Sequence, residues 1–134
     1  MCIRDRDKGM CVGPQNAEET EQTYDTLDKQ MEDPYSIYNF VKQTISIRNA
    51  FPEIARGTNT FENDLSNDNV CIFTREYNGE KAVLIFNPSK DEASVDVSSL
   101  GVNDAVAMLQ TTKKAPSYKD GAAKLPAYSV LVLK

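Results

Sequence analysis

Asn78 and Gly79 stand between two runs, Val70 to Tyr77 and Lys81 to Asn87, that are rich in β-branched and aromatic residues. A two-residue hairpin with a type I′ turn needs positive φ at both central positions, and asparagine followed by glycine supplies it. The segment therefore predicts an antiparallel hairpin, and the rest of the chain is read outward from it. Pro88 to Glu92 is a second turn, Ala93 to Val97 alternates as a half-buried strand, and Ala105 to Thr111 reads as another. Gly121 and Pro126 punctuate the end before a closing strand from Tyr128 to Leu133. Strands of this length and spacing predict an antiparallel sandwich.

Before Thr58 the periodicity is helical. Asn16 with Glu19 three residues on is a capping-box pattern, with a thin apolar stripe of Thr20, Tyr24, Leu27 and Met31 behind it, and predicts a short helix. Asp33 followed by Pro34 predicts the start of a longer one, the carboxylate capping a free amide and proline taking the first helical position. Ile37, Phe40, Val41, Thr44, Ile45 and Arg48 recur at helical spacing, and Pro52 and Gly57 end the helix. A helix of about four turns with so apolar a face is marginal in water and must bury that face against something. In the isolated chain the stripe Ile37, Phe40, Val41, Ile45 is expected to be partly uncovered.

The 134 residues, 40% of them hydrophobic, suit one small domain with a single core. Fifteen basic against 20 acidic residues leave a net charge of −5, which disfavours nucleic acid and anionic membrane surfaces as partners. No run approaches the roughly 18 apolar residues of a membrane span, and the first residues carry charge where an export signal would be apolar. Cys2, Cys11 and Cys71 lack the paired spacing of a zinc site, and no histidine is available to complete one. Cys71, inside an apolar run, is read as a small core residue.

The segment 33–57, from Asp33-Pro34-Tyr35 to Pro52-Glu53-Ile54-Ala55-Arg56-Gly57, resembles the last barrel helix of the α-amylase family, glycoside hydrolase family 13, and its exit into the C-terminal domain. Arg75, Asn87 and the run from Leu125 to Leu131 resemble landmarks of that family's C-terminal domain, and Gly9, Met10, Gly13 and Pro14 echo the glycine-rich loop after its last barrel strands. The stretch from Met1 to Arg6 matches nothing in the family and is read as a spurious or truncated leader. The resemblance implies a mainly β fold: an antiparallel, eight-stranded Greek-key β-sandwich preceded by one or two α-helices left from a (β/α)8 barrel. It divides the chain into 1–57, the leader, loop and terminal helices of a truncated catalytic barrel, and 58–134, the C-terminal β-sandwich domain.

What the resemblance implies for function is partly negative. Glycoside hydrolysis uses two carboxyl groups about 5 to 9 Å apart across the scissile bond, and in this family they lie upstream, with a His-Asp element that a chain without histidine cannot contain. Asp5 and Asp7 lie near arginines, but no apolar strand precedes them, so no catalytic residue is assigned. The expectation is a noncatalytic C-terminal fragment of an α-amylase-like glycosidase that stabilises the barrel. Its parent would cleave α-1,4-glucosidic bonds in starch or maltooligosaccharides by the retaining route. The partners implied are the missing barrel of the same parent chain and, through it, an α-glucan. No cofactor is implied for this chain, calcium belonging to the parent if anywhere, and an extracellular or cell-surface setting is compatible with the resemblance. The competing reading is a free-standing sandwich that binds glucan or a protein partner.

Residues that could carry a site have a plainer reading beside them. Glu62, Asp64 and Asp68 could offer oxygen ligands to calcium, but their spacing misses the EF-hand pattern and turn-forming residues before a strand explain them. Asp25, Asp28, Glu32 and Asp33 read as a solvated helix face and a cap. Sugar stacking needs exposed flat rings. Tyr77 and Tyr118 are the candidates, with Tyr128 a third, and Tyr77 beside a hairpin turn and Tyr128 in a closing strand fit cross-strand packing equally well.

Overall fold

A computed structural model describes residues 24–134, and in it the Asn78-Gly79 hairpin forms as the sequence predicts. Strands β2 (Cys71–Tyr77) and β3 (Glu80–Asn87) pair antiparallel with Tyr77 opposite Glu80, and Asn78 and Gly79 have φ of 52° and 82°. Around this pair the described residues form β1 (Thr58–Phe61), β4 (Ala93–Asp96), β5 (Ala105–Leu109), β6 (Ser117–Lys119), β7 (Ala122–Leu125) and β8 (Ser129–Leu133). They make two antiparallel sheets, one ordered β1-β2-β3-β8-β5 and the other β4-β7-β6. The chain passes between sheets after β3, β4, β5 and β7, so β8 enters the larger sheet between β3 and β5. The fold is mainly β, a sandwich with helices before it.

Strand alternation sorts the residues of the larger sheet onto two faces. In register, Ile72, Ile85 and Leu131 lie in one row, with Val83 and Leu133 beside them. This face packs with Ala123 and Leu125 of the smaller sheet and with Val70, Val97 and Val102 to form the core. The opposite face carries Phe61, Phe73, Leu84 and Val132 in one row and Cys71, Phe86 and Val130 in the next. Cys71 is therefore half-buried outside the core, contrary to the expectation; the apolar run around it has period two, and its neighbour Ile72 takes the inward position. Burial still pushes its thiol pKa up.

Three helices precede the sandwich: α1 (Leu27–Glu32), α2 (Ile37–Ala50) and α3 (Pro52–Arg56). The Asp33-Pro34 start is corrected. Asp33 closes α1, its carboxylate accepts from the Tyr35 amide at 2.9 Å, and its carbonyl accepts from the Ser36 amide. Pro34 thus lies in a turn, and Ser36 is the residue whose hydroxyl caps α2 by accepting from the Asn39 amide. Two cap-forming residues three positions apart are available, and the tight turn between the helices uses the first. Asn39 secures that turn, its side-chain amide donating to the carbonyls of Gln30, Met31 and Asp33. Pro52 ends α2 as predicted but also opens α3 at the position where proline is tolerated, so the exit is a second short helix ending at Gly57.

Other boundaries shift for local reasons. The strand expected from Ala93 to Val97 stops at Asp96, where the side chain accepts from the Ser98 amide and starts a 3-10 turn over Ser98–Leu100. The strand expected to run to Thr111 stops at Leu109. Tyr128 lies before the last strand, with φ of 51° and its ring exposed. The hairpin of β6 and β7 turns at Asp120-Gly121, with φ of 51° and 84°, and was not expected from the sequence. The Asn16/Glu19 capping box, Asp5, Asp7, Cys2 and Cys11 lie outside the described residues.

Candidate functional site

Helix α3 is seated on the outer face of the larger sheet by residues far from it in sequence. Arg75 projects from β2 on the same face as Phe73, and its guanidinium donates to the carbonyl of Glu53 at 3.3 Å and to that of Ile54 at 3.0 Å. The Glu53 carbonyl also accepts from the Gly57 amide at the end of the helix, whereas the Ile54 carbonyl is one of those a helix end leaves over, so the sheet-borne arginine supplies a partner there and complements the negative end of the helix. Close approach at the exit depends on Gly57, where a Cβ would lie 2.4 Å from the Glu53 carbonyl oxygen and 2.9 Å from that of Glu76. No larger residue fits between helix and strand.

Glu53 itself is 2% exposed, and its Oε1 accepts from the Lys134 ammonium. Lys134 also lies 3.3 Å from the exposed carboxylate of Glu80. Its backbone is fixed by reciprocal hydrogen bonds with Asp104 and by its carbonyl accepting from the Asn103 amide, so the side chain starts from a rigid point. The lysine hydrogen bond, then the helix's own backbone amide, hold the Glu53 carboxyl below its ordinary value, outweighing the burial that opposes them. Glu53 Oε2 is buried with no hydrogen-bond partner. Neither Glu53 nor Lys134 stood out in the sequence, because no local pattern links residues so far apart.

Beside this seat lies an open groove of about 350 Å³ lined by Ile54, Asn59, Phe73, Arg75, Leu84 and Phe86. Phe73 and Phe86 in its wall lie 5.9 Å apart edge to face, and Phe61 lies 5.1 Å from Phe73 in a tilted arrangement. On α2 the stripe Ile37, Val41 and Ile45 is 49 to 54% exposed, while Phe40 is half-buried. Apolar surface on the helix and on the sheet is thus left open.

The sugar candidates are not brought together into a platform. Tyr118 packs its ring against the core and donates its hydroxyl to the Val102 carbonyl at 2.8 Å. Tyr77 is half-buried at the hairpin end of β2, and Tyr128 stands exposed just before β8 begins. Glu62 uses its carboxylate to accept from the Thr74 hydroxyl at 2.6 Å, with Asp64 and Asp68 exposed, so the segment does not present a calcium ligand set. Among the described residues no three Asp, Glu, Cys or His side chains gather as metal ligands. Asp25, Asp28, Glu32 and Asp33 are exposed.

Comparison with known proteins agrees with this arrangement. Residues 64–132 match the family model described as the C-terminal domain of maltogenic amylase. Among solved structures, Amy13B of Eubacterium rectale is 91% identical over 98% of this chain, with a TM-score of 0.90, and the chain spans 26% of its length. The trehalulose synthase MutB of Pseudomonas mesoacidophila MX-45 is 22% identical over 81% of this chain, with a TM-score of 0.67, and the chain spans 19% of that protein; this second likeness is one of fold. No curated protein sequence matches.

Proposed function

We propose, from the premise that this chain belongs to the maltogenic amylase C-terminal domain family, that it works as a noncatalytic support for a glycosidase barrel. The observation that carries the reading is the pairing of a firmly seated exit helix with open apolar surface on α2 and on the sheet. With α3 held on Arg75 and Ile37, Val41 and Ile45 of α2 uncovered, the helices are half of a packing arrangement, and barrel strands and helices upstream would supply the other half. In this division, residues 1–57 belong with the barrel and 58–134 are the domain that braces it.

The parent would hydrolyse α-1,4-glucosidic bonds by the retaining route, in which one carboxylate attacks the sugar and a second carboxyl group protonates the leaving oxygen and then activates water. All of that chemistry lies on the barrel. The family's name and the Glu53-Ile54-Ala55-Arg56-Gly57 exit support a polysaccharide-acting parent. MutB has the same sandwich and is described in complex with sucrose as substrate, so the sandwich accompanies more than one reaction and the choice of sugar is made elsewhere.

The test sets this chain beside its intact parent on a chromogenic maltoside. The expected result is turnover by the parent and none by the chain, together with a lowered melting temperature and unchanged KM in the parent carrying Arg75→Ala. Turnover by the isolated chain, or an Arg75→Ala parent as stable as the native one, would overturn the reading.

A further inference from the structure

The ion pair between Glu53 and Lys134 joins the exit helix to the opposite end of the sandwich sequence, and its environment is unusual. The carboxylate is almost fully buried, one of its oxygens has a cationic partner and the other has none. Burial favours the neutral form of a carboxyl group and a cation favours the charged form, so its ionisation rests first on Lys134, with the helix's backbone amide second. The other charged groups facing the pair are Glu80, which holds the far side of Lys134, and Arg75, which is occupied by the Glu53 and Ile54 carbonyls. Lys134 therefore keeps a partner in Glu80 when Glu53 is neutralised, and the member lost is the one on α3.

We propose that Glu53 and Lys134 form a positioning clasp that locks α3 onto the sandwich, and that protonation of Glu53 releases α3 while the sandwich stays folded. The sandwich keeps its own core of Ile72, Ile85, Leu131, Leu133 and Leu125, none of which belongs to a helix. The seat of α3, by contrast, lies outside that core and combines the packing of Ile54 on the outer sheet face with the Arg75 hydrogen bonds, the clasp and the fit at Gly57. The proposal concerns the joint between helix and sandwich and stands whatever sugar the parent acts on.

The sign of the pH effect follows from the direction of the shift. Glu53 is held below its ordinary 4.5, so its contribution is fully present above that value and is lost as the pH falls through the folded value. Lys134 is held above its ordinary 10.5, first by the Glu53 hydrogen bond, so it stays charged throughout this acid range.

The experiment is amide hydrogen exchange on the 134-residue chain from about pH 7 to about pH 3, corrected for intrinsic exchange. Protection of the Ile54, Ala55 and Gly57 amides is expected to fall at least about tenfold across the acid range, while the Ile72 and Ile85 amides keep theirs. Glu53→Gln should start with loosened α3 amides at neutral pH and show no further loss on acidification. Lys134→Met should match it, Lys134→Arg should restore the native profile, and the Glu53→Gln, Lys134→Met pair should be no worse than either alone. A pH-independent α3 in the native chain, or a Glu53→Gln chain that keeps the native profile, would overturn the proposal. Where Glu53→Gln fails to fold, the comparison of Lys134→Met with Lys134→Arg decides.

Discussion

Asn87 shows how much a single buried amide can hold. It is 1% exposed at the end of β3, and its nitrogen donates to the carbonyls of Asp91, Leu125 and Pro126 at 2.8 to 3.0 Å. Its oxygen accepts from the amide and the hydroxyl of Ser89. One side chain thereby joins the turn after β3 to the end of β7 in the other sheet. Asn87→Ala would remove a donor from the Leu125 and Pro126 carbonyls, the second of which keeps the Ser129 hydroxyl, at the cost of about 3 kcal/mol, a loss that thermal or urea unfolding would register. Asn87→Asp is expected to be worse at neutral pH, because a carboxylate would face carbonyl oxygens with no proton to offer, and to recover partly on acidification. An aspartate variant as stable as the native chain would refute this account. Asn87 stood out in the sequence only through its likeness to a family landmark. Nothing in its local spacing announces a contact with Leu125 and Pro126.

At the scale of the element, two hairpins of similar chemistry were not equally legible. Asn78-Gly79 lies between strands of seven and eight residues whose composition declares them, whereas Asp120-Gly121 joins strands of three and four. Strands so short cannot show a period, and the Asp-Gly pair was the signal that could have found them. The helices were legible in kind but not in their joints, since Asp33 and Ser36 both have capping chemistry and the choice between them depends on the contacts Asn39 makes across the turn. The candidate site divided the same way: Arg75 was marked as a landmark, but the residues that complete it, Glu53 and Lys134, meet only when the sandwich closes. The two turn glycines also differ in surroundings. A Cβ at Gly79 meets nothing within 4 Å, while one at Gly121 would lie 2.8 Å from the Ser98 Cβ. Gly79→Ala should therefore cost about 1 kcal/mol, for positive φ alone, and Gly121→Ala about 2 to 3 kcal/mol once crowding is added. Equal shifts in the denaturant midpoint of the two variants would show that Ser98 gives way freely.

For the molecule as a whole, the governing fact is that one layer of the sandwich is complete and one face of its helical preface is not. The core between the sheets is closed, whereas Ile37, Val41 and Ile45 repeat every fourth residue and so line one side of α2, each about half exposed. Phe61, Val106 and Met108 add exposed apolar surface on the outer strands β1 and β5 of the larger sheet. An apolar stripe such as that on α2 drives association unless a partner covers it. The isolated 134-residue chain is accordingly expected to self-associate in a concentration-dependent way in sedimentation or light scattering. Ile37→Gln, Val41→Gln and Ile45→Gln together should render it monomeric with little change in the unfolding of the sandwich, because those side chains contribute nothing to its core. In the intact parent the same three substitutions should do the opposite and destabilise, since there the stripe would be buried and each polar amide would enter an apolar contact. The two measurements together separate a surface that merely tolerates exposure from one built to be covered. A native chain that stays monomeric and binds no apolar dye, or a substituted parent that loses no stability, would remove the barrel from the account of this face.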